Sequence, residues 1–338
     1  MLPSTHPQMP QAEALIVVCV PAGPTGEYVA SHCLGAGLVG TYPLFQYKIA
    51  SGSINISLLV QSSESMADSV LEAADAMLLI LDGKLGLDAQ SIEIWSVAAD
   101  LSLPRHIGAI NVATGRADFD ELIAIATRVL EPDLMVRYLP IDSEDDDSIV
   151  GQYDLLTADI HDCSSGAPVI RHGDPEHVSL TADRRDDLFE ELAHAGLADA
   201  FLDTHRQGLP VSIPSLVSAW SNEHIVSITT LDNQVGAHIL DEWFGHLTPR
   251  WVPVVTTEDQ ATSIDLVEEC SGVGIGDGIA RIWGPISKDS AYEVFEDSVA
   301  APIAIQIQSS GCLLASGIHP GATVRAEGSS IAVLVPRF

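Results

Sequence analysis

Apolar and polar positions alternate along the first two-thirds of the chain in blocks that switch between strand and helix periods. Continuous apolar runs predict strands over 15–20, 54–60, 76–81, 107–110 and 136–141, of the kind buried on both faces of a parallel sheet. Helical spacing predicts helices between them, over 26–34, 66–74, 88–101 and 118–130. Asp118 opens the last of these, and Phe119, Leu122, Ile123, Ala126 and Leu130 fall on one face of it. Strand followed by helix, repeated, predicts a doubly wound, mostly parallel α/β sheet.

The pattern loosens after Gly151. A strand over 149–156 leads into loops and then helices over 182–195, 198–205 and near 213–220, which reads as an α-rich insert spanning about 142–222. The α/β alternation resumes with a strand over 225–230 and a helix over 235–246. Residues 251–262 read as a linker rich in Pro and Thr. Beyond it, short apolar runs over 279–283, 292–295, 304–307, 323–326 and 331–335, parted by Gly, Pro, Ser and Asp, predict a small β-barrel domain over 263–338. The division expected is therefore a loose tail over 1–12, an α/β domain over 13–250 with its insert, the linker and the barrel.

Charge narrows the choice of partner. The 338 residues carry 47 Asp and Glu against 15 Lys and Arg, a net charge of −32. The only lysines are Lys48, Lys84 and Lys288. Such a surface repels phosphate backbones, so direct nucleic-acid binding is not expected. No apolar run is long enough for a membrane span, and the polar, proline-bearing N-terminus lacks the layout of a signal peptide. The five cysteines are scattered, with no metal-ligand or redox spacing, which fits a reducing, cytoplasmic setting.

Candidate chemistry centres on the first strand–loop–helix unit. The layout of "VVCVPAGPTGEYVA" is that of a phosphate loop, but G-x-x-x-x-G-K-[ST] has become P-x-x-x-x-G-E-Y. Glu27 and Tyr28 follow Gly26 where a lysine and a hydroxyl are needed. A carboxylate ~5 Å from a phosphate charge costs about 3 kcal/mol at an effective dielectric near 20. Elsewhere, His161 with Asp162 and Cys163, or His172 with Asp174 and His177, are conceivable metal ligands, but their spacings match no tetrahedral site. The acidic run 143–147 lacks the glycine and terminal glutamate of an EF-hand. "GVGIGDG" at 272–278 precedes a β region and reads as a turn, not a dinucleotide fingerprint.

Several stretches together resemble the elongation-factor-G-like translational GTPases, notably those of actinobacteria. They are Ala73-Ala74-Asp75-Ala76; Leu103-Pro104-Arg105; Arg116-Ala117-Asp118-Phe119-Asp120; Tyr138-Leu139-Pro140-Ile141; Gly151-Gln152-Tyr153-Asp154-Leu155-Leu156; Asp174-Pro175-Glu176-His177; and "GIARIWGPISKDSAYEV" from Gly278. Their order and spacing cover nearly the whole chain. The resemblance implies a P-loop-type G domain followed by that family's β-barrel domain, with three further family domains having no counterpart before the last residue, Phe338. It also places the family's nucleotide motifs. Gly26, Glu27 and Tyr28 fall on its Gly-Lys-Thr. Gln61, Ser62, Ser63 and Glu64 fall on its Asp-Thr-Pro-Gly, without the histidine that follows there. Ile110, Asn111, Val112 and Ala113 fall on its Asn-Lys-x-Asp, so Ala113 replaces the carboxylate that reads guanine. The stretch 37–54 is too short for the usual magnesium-binding first switch.

The resemblance thus implies a pseudo-GTPase, an acidic binding scaffold with no catalytic residue, no metal and no cofactor, whose partner is a protein, with the ribosome or translation machinery as candidates. Three other readings stay open. GTP and magnesium bind in an altered pose with Lys84 or Arg116 supplying charge. The chain is a ribosome-associated regulator or decoy. The chain is a remnant without selected activity.

Overall fold

A computed structural model describes residues 13–248 apart from 24–25, 39–43, 50–54, 67, 144, 147, 167, 197–216, 219 and 222–223, and beyond 250 the backbones of strands only. The main sheet has seven strands. In chain order they are β1 (Glu13–Val20), β2 (Gly37–Leu38), β3 (Leu44–Tyr47), β4 (Asn55–Ser62), β5 (Ala76–Asp82), β6 (Arg105–Ile110) and, much later in the chain, β11 (Ile228–Thr230). Their order across the sheet is β11-β6-β5-β1-β4-β3-β2, parallel from β11 to β4, with β2 and β3 antiparallel at one edge. The short β2–β3 hairpin falls in a stretch for which the apolar pattern predicts no element.

Because strand side chains alternate, β1 feeds both faces. Leu15, Val17 and Cys19 pack with α2 (Asp68–Ala73), α3 (Ala89–Asp100) and α4 (Phe119–Val129), through Val70, Leu71, Ile94, Trp95, Phe119 and Leu122. Ile16, Val18 and Val20 pack on the opposite face, against Val29, Ala30 and Cys33 and against Leu240, Trp243 and Phe244 of α7 (Ala237–His246). Every residue of β5 is buried, as expected of a central parallel strand. Helix α4 is closed by a full capping box between Asp118 and Glu121.

Within the α/β domain two expectations are corrected. The run 136–141 does not supply the fifth parallel strand. It forms β7 (Tyr138–Asp142), which pairs antiparallel with β8 (Ile149–Asp154) in a separate four-stranded sheet that adds β9 (Asp159–Asp162) and β10 (Val169–His172) in the order β10-β9-β8-β7. Leu139, Pro140 and Ile141 are only half-buried, the mark of a sheet with one open face. The fifth parallel strand is β11, reached after the insert. Second, the insert has its expected helices α5 (Pro175–Leu180) and α6 (Ala182–His194), but it also carries strands β9 (Asp159–Asp162) and β10 (Val169–His172). Leu188, Phe189 and Leu192 of α6 pack on Tyr153 and Ile160 of this sheet. The helix expected over 198–205 and most of that near 213–220 lie outside the described residues.

The insert is joined to the main sheet by buried polar groups. Arg137 bonds Asp154 through two nitrogens, at 2.9 and 3.1 Å, and Glu242 of α7 at 2.8 Å. His161 Nδ1 lies 2.7 Å from His238 Nε2. His106, fully enclosed on β6, bonds the hydroxyls of Thr229 and Ser227 at 3.0 and 3.2 Å.

In the C-terminal stretch, β12 (Trp251–Val255), inside the span read as a linker, pairs antiparallel with β20 (Ala332–Pro336). A second seven-stranded sheet, antiparallel throughout, is built from β13 (Gly272–Gly276), β14 (Ile279–Ile282), β15 (Tyr292–Glu296), β16 (Val299–Ile303), β17 (Ile305–Ile307), β18 (Cys312–Ala315) and β19 (Thr323–Ala326). "GVGIG" is therefore a strand, not a turn, with an irregular register between Gly274 and Gly276.

Candidate functional site

In an open parallel sheet the loops beyond the carboxyl ends of the strands meet at one edge. Here that edge gathers the loops after β1, β4, β5, β6 and β11, and every position that the nucleotide motifs single out lies in these loops or at the strand ends that lead into them.

Gly26 is buried and opens the single turn α1 (Gly26–Tyr28), which continues as a π-helical turn, Val29–Cys33, in place of the α-helix expected over 26–34. Glu27 is exposed, and its backbone carbonyl accepts from the Ser31 hydroxyl. Tyr28 is exposed and stacks on His32, with ring centroids 5.0 Å apart. Its phenol is pushed up by Cys33 first, then by partial burial and by the carboxylates of Asp232 and Asp82. Gly23 takes φ +132°, and a side chain there would meet Leu85 Cδ1 at 3.2 Å. Leu85, from the loop after β5, thus lies over the phosphate-loop backbone.

The second motif ends β4. Gln61 is buried in register beside Cys19, Ser62 closes the strand, and Ser63 to Ser65 form a 3-10 turn that includes exposed Glu64. The Ser63 hydroxyl donates to Asp88 Oδ2 at 3.0 Å, while Asp88 Oδ1 caps α3 by accepting from Ser91 N–H at 2.7 Å. Cys19 nearby is pushed up to about 12 by burial, with Asp88 adding to it, so it stays a thiol.

The third motif is the most ordered. Ile110 is the buried end of β6, and its carbonyl accepts from Gly83 N–H at 2.9 Å. Asn111 takes the left-handed conformation, φ 55°. Its amide donates to Asp82 Oδ1 at 3.0 Å, and its side-chain oxygen accepts from Lys84 Nζ at 3.0 Å. The backbone N–H groups of Asn111 and Val112 donate to Asp232 Oδ1 and Oδ2 at 2.5 and 2.7 Å, and the Ala113 N–H lies near enough to help hold its carboxyl down. Burial pushes Asp232 up, those three N–H groups pull it down, and Asp82 adds to the rise. Close glycine packing backs this turn: a Cβ on Gly115 would stand 2.5 Å from the Asn111 carbonyl oxygen and 2.6 Å from Gly83. Arg116 is exposed and contributes its backbone N–H to Gly83 O at 2.9 Å.

The structure therefore brings the three expected motifs to one edge and adds Asp82, Asp88, Leu85 and Asp232, which the sequence reading did not single out. Asp82 was findable as an acid just beyond the predicted strand 76–81. The conceivable metal sets do not assemble as such. Asp162 takes Ser164, His172 pairs with Asp159, and His177 with Asp174. Among the described residues, no group of three or more His, Cys, Asp or Glu stands together for a metal ion.

Comparison with known proteins agrees with this architecture. No family model matches the chain. Ribosome-releasing factor 2, mitochondrial, of Drosophila melanogaster is 25% identical over 261 residues, covering 75% of this chain and 30% of that protein. The Drosophila yakuba protein of the same name is 25% identical over 172 residues, covering 48% of this chain and 23% of its own length. The chain spans less than a third of the length of these curated relatives. A crystal structure from Thermus thermophilus superposes with a TM-score of 0.62 at 15% identity, over 94% of this chain and 54% of that one, which shows the fold. The sequence similarity supports a relation to these ribosome-releasing factors. No helix among the described residues is long and apolar enough to cross a membrane.

Proposed function

We propose that the chain is a pseudo-GTPase, a translation-factor-like G fold kept as a binding scaffold without normal GTP hydrolysis. The observation that carries this reading is the closure of the base-reading turn by the protein's own groups. Asp232 takes the N–H groups of Asn111 and Val112, and Asn111 is held between Asp82 and Lys84. Glu27 and Leu85 support it at the phosphate end, one by charge and the other by volume. A magnesium–triphosphate needs cations and hydroxyls converging on the phosphates. The described groups at this edge are mainly carboxylates and do not fit it. The cleft of about 540 Å³ beside the base-reading turn is likewise acidic, lined by Asp118, Asp120, Asp142 and Asp146, with Arg184 already paired to Asp120 at 3.1 Å. This supports a protein partner over nucleic acid, and the name of the similar Drosophila factors makes the ribosome or its accessory proteins the first candidates. A cytoplasmic setting belongs to the same reading.

Calorimetric titration with GTP and GDP in the presence of magnesium tests it. The scaffold reading expects no saturable heat. Micromolar binding overturns it in favour of a second reading, for which one observation speaks: Lys84 Nζ reaches this edge, at Asn111. In that reading Lys84 supplies the charge that Glu27 withholds, and Lys84→Ala abolishes the binding. Co-sedimentation with ribosomes at low and moderate salt tests the partner.

A further inference from the structure

The turn at Asn111 is more than a place where a base is no longer read. Strands β6 and β11 are adjacent and parallel, with Thr230 opposite Ala109, so the residues after each emerge side by side. Leu231 N–H continues the ladder onto Ala109 O at 2.7 Å, and Asp232 follows at the height of Asn111. Its carboxylate crosses 120 and 121 residues of sequence to reach two consecutive N–H groups, so this is no local cap. The left-handed Asn111 turns successive N–H groups toward one point, the geometry by which backbone makes a concave anion site. Lys84 places one of the chain's few ammonium groups against the same residue.

We propose that residues 111–113 form an anion-binding nest and that the Asp232 carboxylate is its tethered resident ligand, a plug that a free phosphate-class anion replaces once the carboxylate is removed. Tethering matters because a side chain fixed two residues beyond β11 has a far higher local concentration at the nest than any solute. That advantage offsets the repulsion from Asp82, which a free anion must meet unaided. The inference rests on the pocket being closed to nucleotide, but the two fail separately. Wild-type protein that binds GTP sinks the scaffold reading and leaves the plug to be judged on its own variant.

The test uses inorganic phosphate as the probe, against chloride at equal ionic strength, with thermal unfolding and ³¹P line-broadening as readouts. Asp232→Ala is expected to bind phosphate at least about tenfold more tightly than wild type, since each charge-assisted bond regained is worth roughly that factor. Its melting temperature then rises with phosphate. Asp232→Asn, which keeps the shape and one acceptor, serves if the alanine variant does not fold, and is expected to show a smaller rise in the same direction. Adding Val112→Pro, which deletes a nest N–H, removes the effect. A folded variant that gains nothing from phosphate overturns the proposal, as does a wild-type protein stabilised by phosphate as much as the variants are.

Discussion

Two polar regions of this molecule do opposite jobs with similar residues. At the joint between the insert and the main sheet, Arg137, Asp154 and Glu242 are gathered around one another, and burial holds the paired imidazoles of His161 and His238 toward the neutral form. At the carboxyl edge of the sheet, buried Asp82, half-buried Asn111 and Asp232 and exposed Lys84 tie loops, not layers. The joint is polarity used as structure, where removing one partner strands a charge out of reach of water. The edge is polarity in the place where a G fold would meet its ligand, turned inward so that the loops are satisfied without one. Polar residues at a ligand-facing edge therefore report function only after their partners are known.

The largest expected effect breaks the joint. Arg137→Met leaves Asp154 buried without its cation and is expected to cost about 3–5 kcal/mol, read as a lowered urea midpoint. The same substitution at the edge cation, Lys84→Met, is expected to cost under ~1 kcal/mol, since that pair is exposed.

Acid separates the regions next. Burial holds His106 down to about 3 and His238 to about 4, the latter with help from His161, against an unfolded value of 6.5. Between 6.5 and those values the unfolded chain binds protons that the native chain does not. Stability is therefore full above 6.5 and falls as pH drops toward 4 and then 3, by at most ~1.4 kcal/mol per pH unit for each histidine. Urea midpoints at a series of pH values check this, and His238→Asn is expected to flatten the curve. Asp232 has the opposite sign: its carboxyl is raised, so ionising it above that value costs stability and does not add to it.

Smaller effects sharpen the edge. Asp232→Ala is expected to cost about 1–3 kcal/mol by unpairing the N–H groups of Asn111 and Val112. Asp118→Ala, which removes the cap of α4 beside the same turn, is expected to cost about 1 kcal/mol, and to leave nucleotide and phosphate titrations unchanged.

Much of the fold was legible because apolar runs such as Ala76–Asp82 admit one interpretation. The run at 136–141 misled because apolar character does not say which sheet a strand joins, and Pro140 opposite Gln152 is compatible with an antiparallel pair. Strands β9 and β10, Asp-Ile-His-Asp and Val-Ile-Arg-His, are too short and polar to stand out. At the site, the departures at Glu27 and Ala113 were readable position by position. Asp232 was not, because an acid after a strand looks like an ordinary turn, and its partners lie 120 and 121 residues away.

Amide hydrogen exchange at Asn111, Val112 and Ala113 in the nucleotide-free protein tests the self-closed edge most directly. If Asp232 holds these N–H groups, they exchange as slowly as the end of β6, and adding GTP and magnesium changes nothing. Exchange at open-loop rates that slows only when GTP is added would show a turn waiting for its ligand, and would contradict the account.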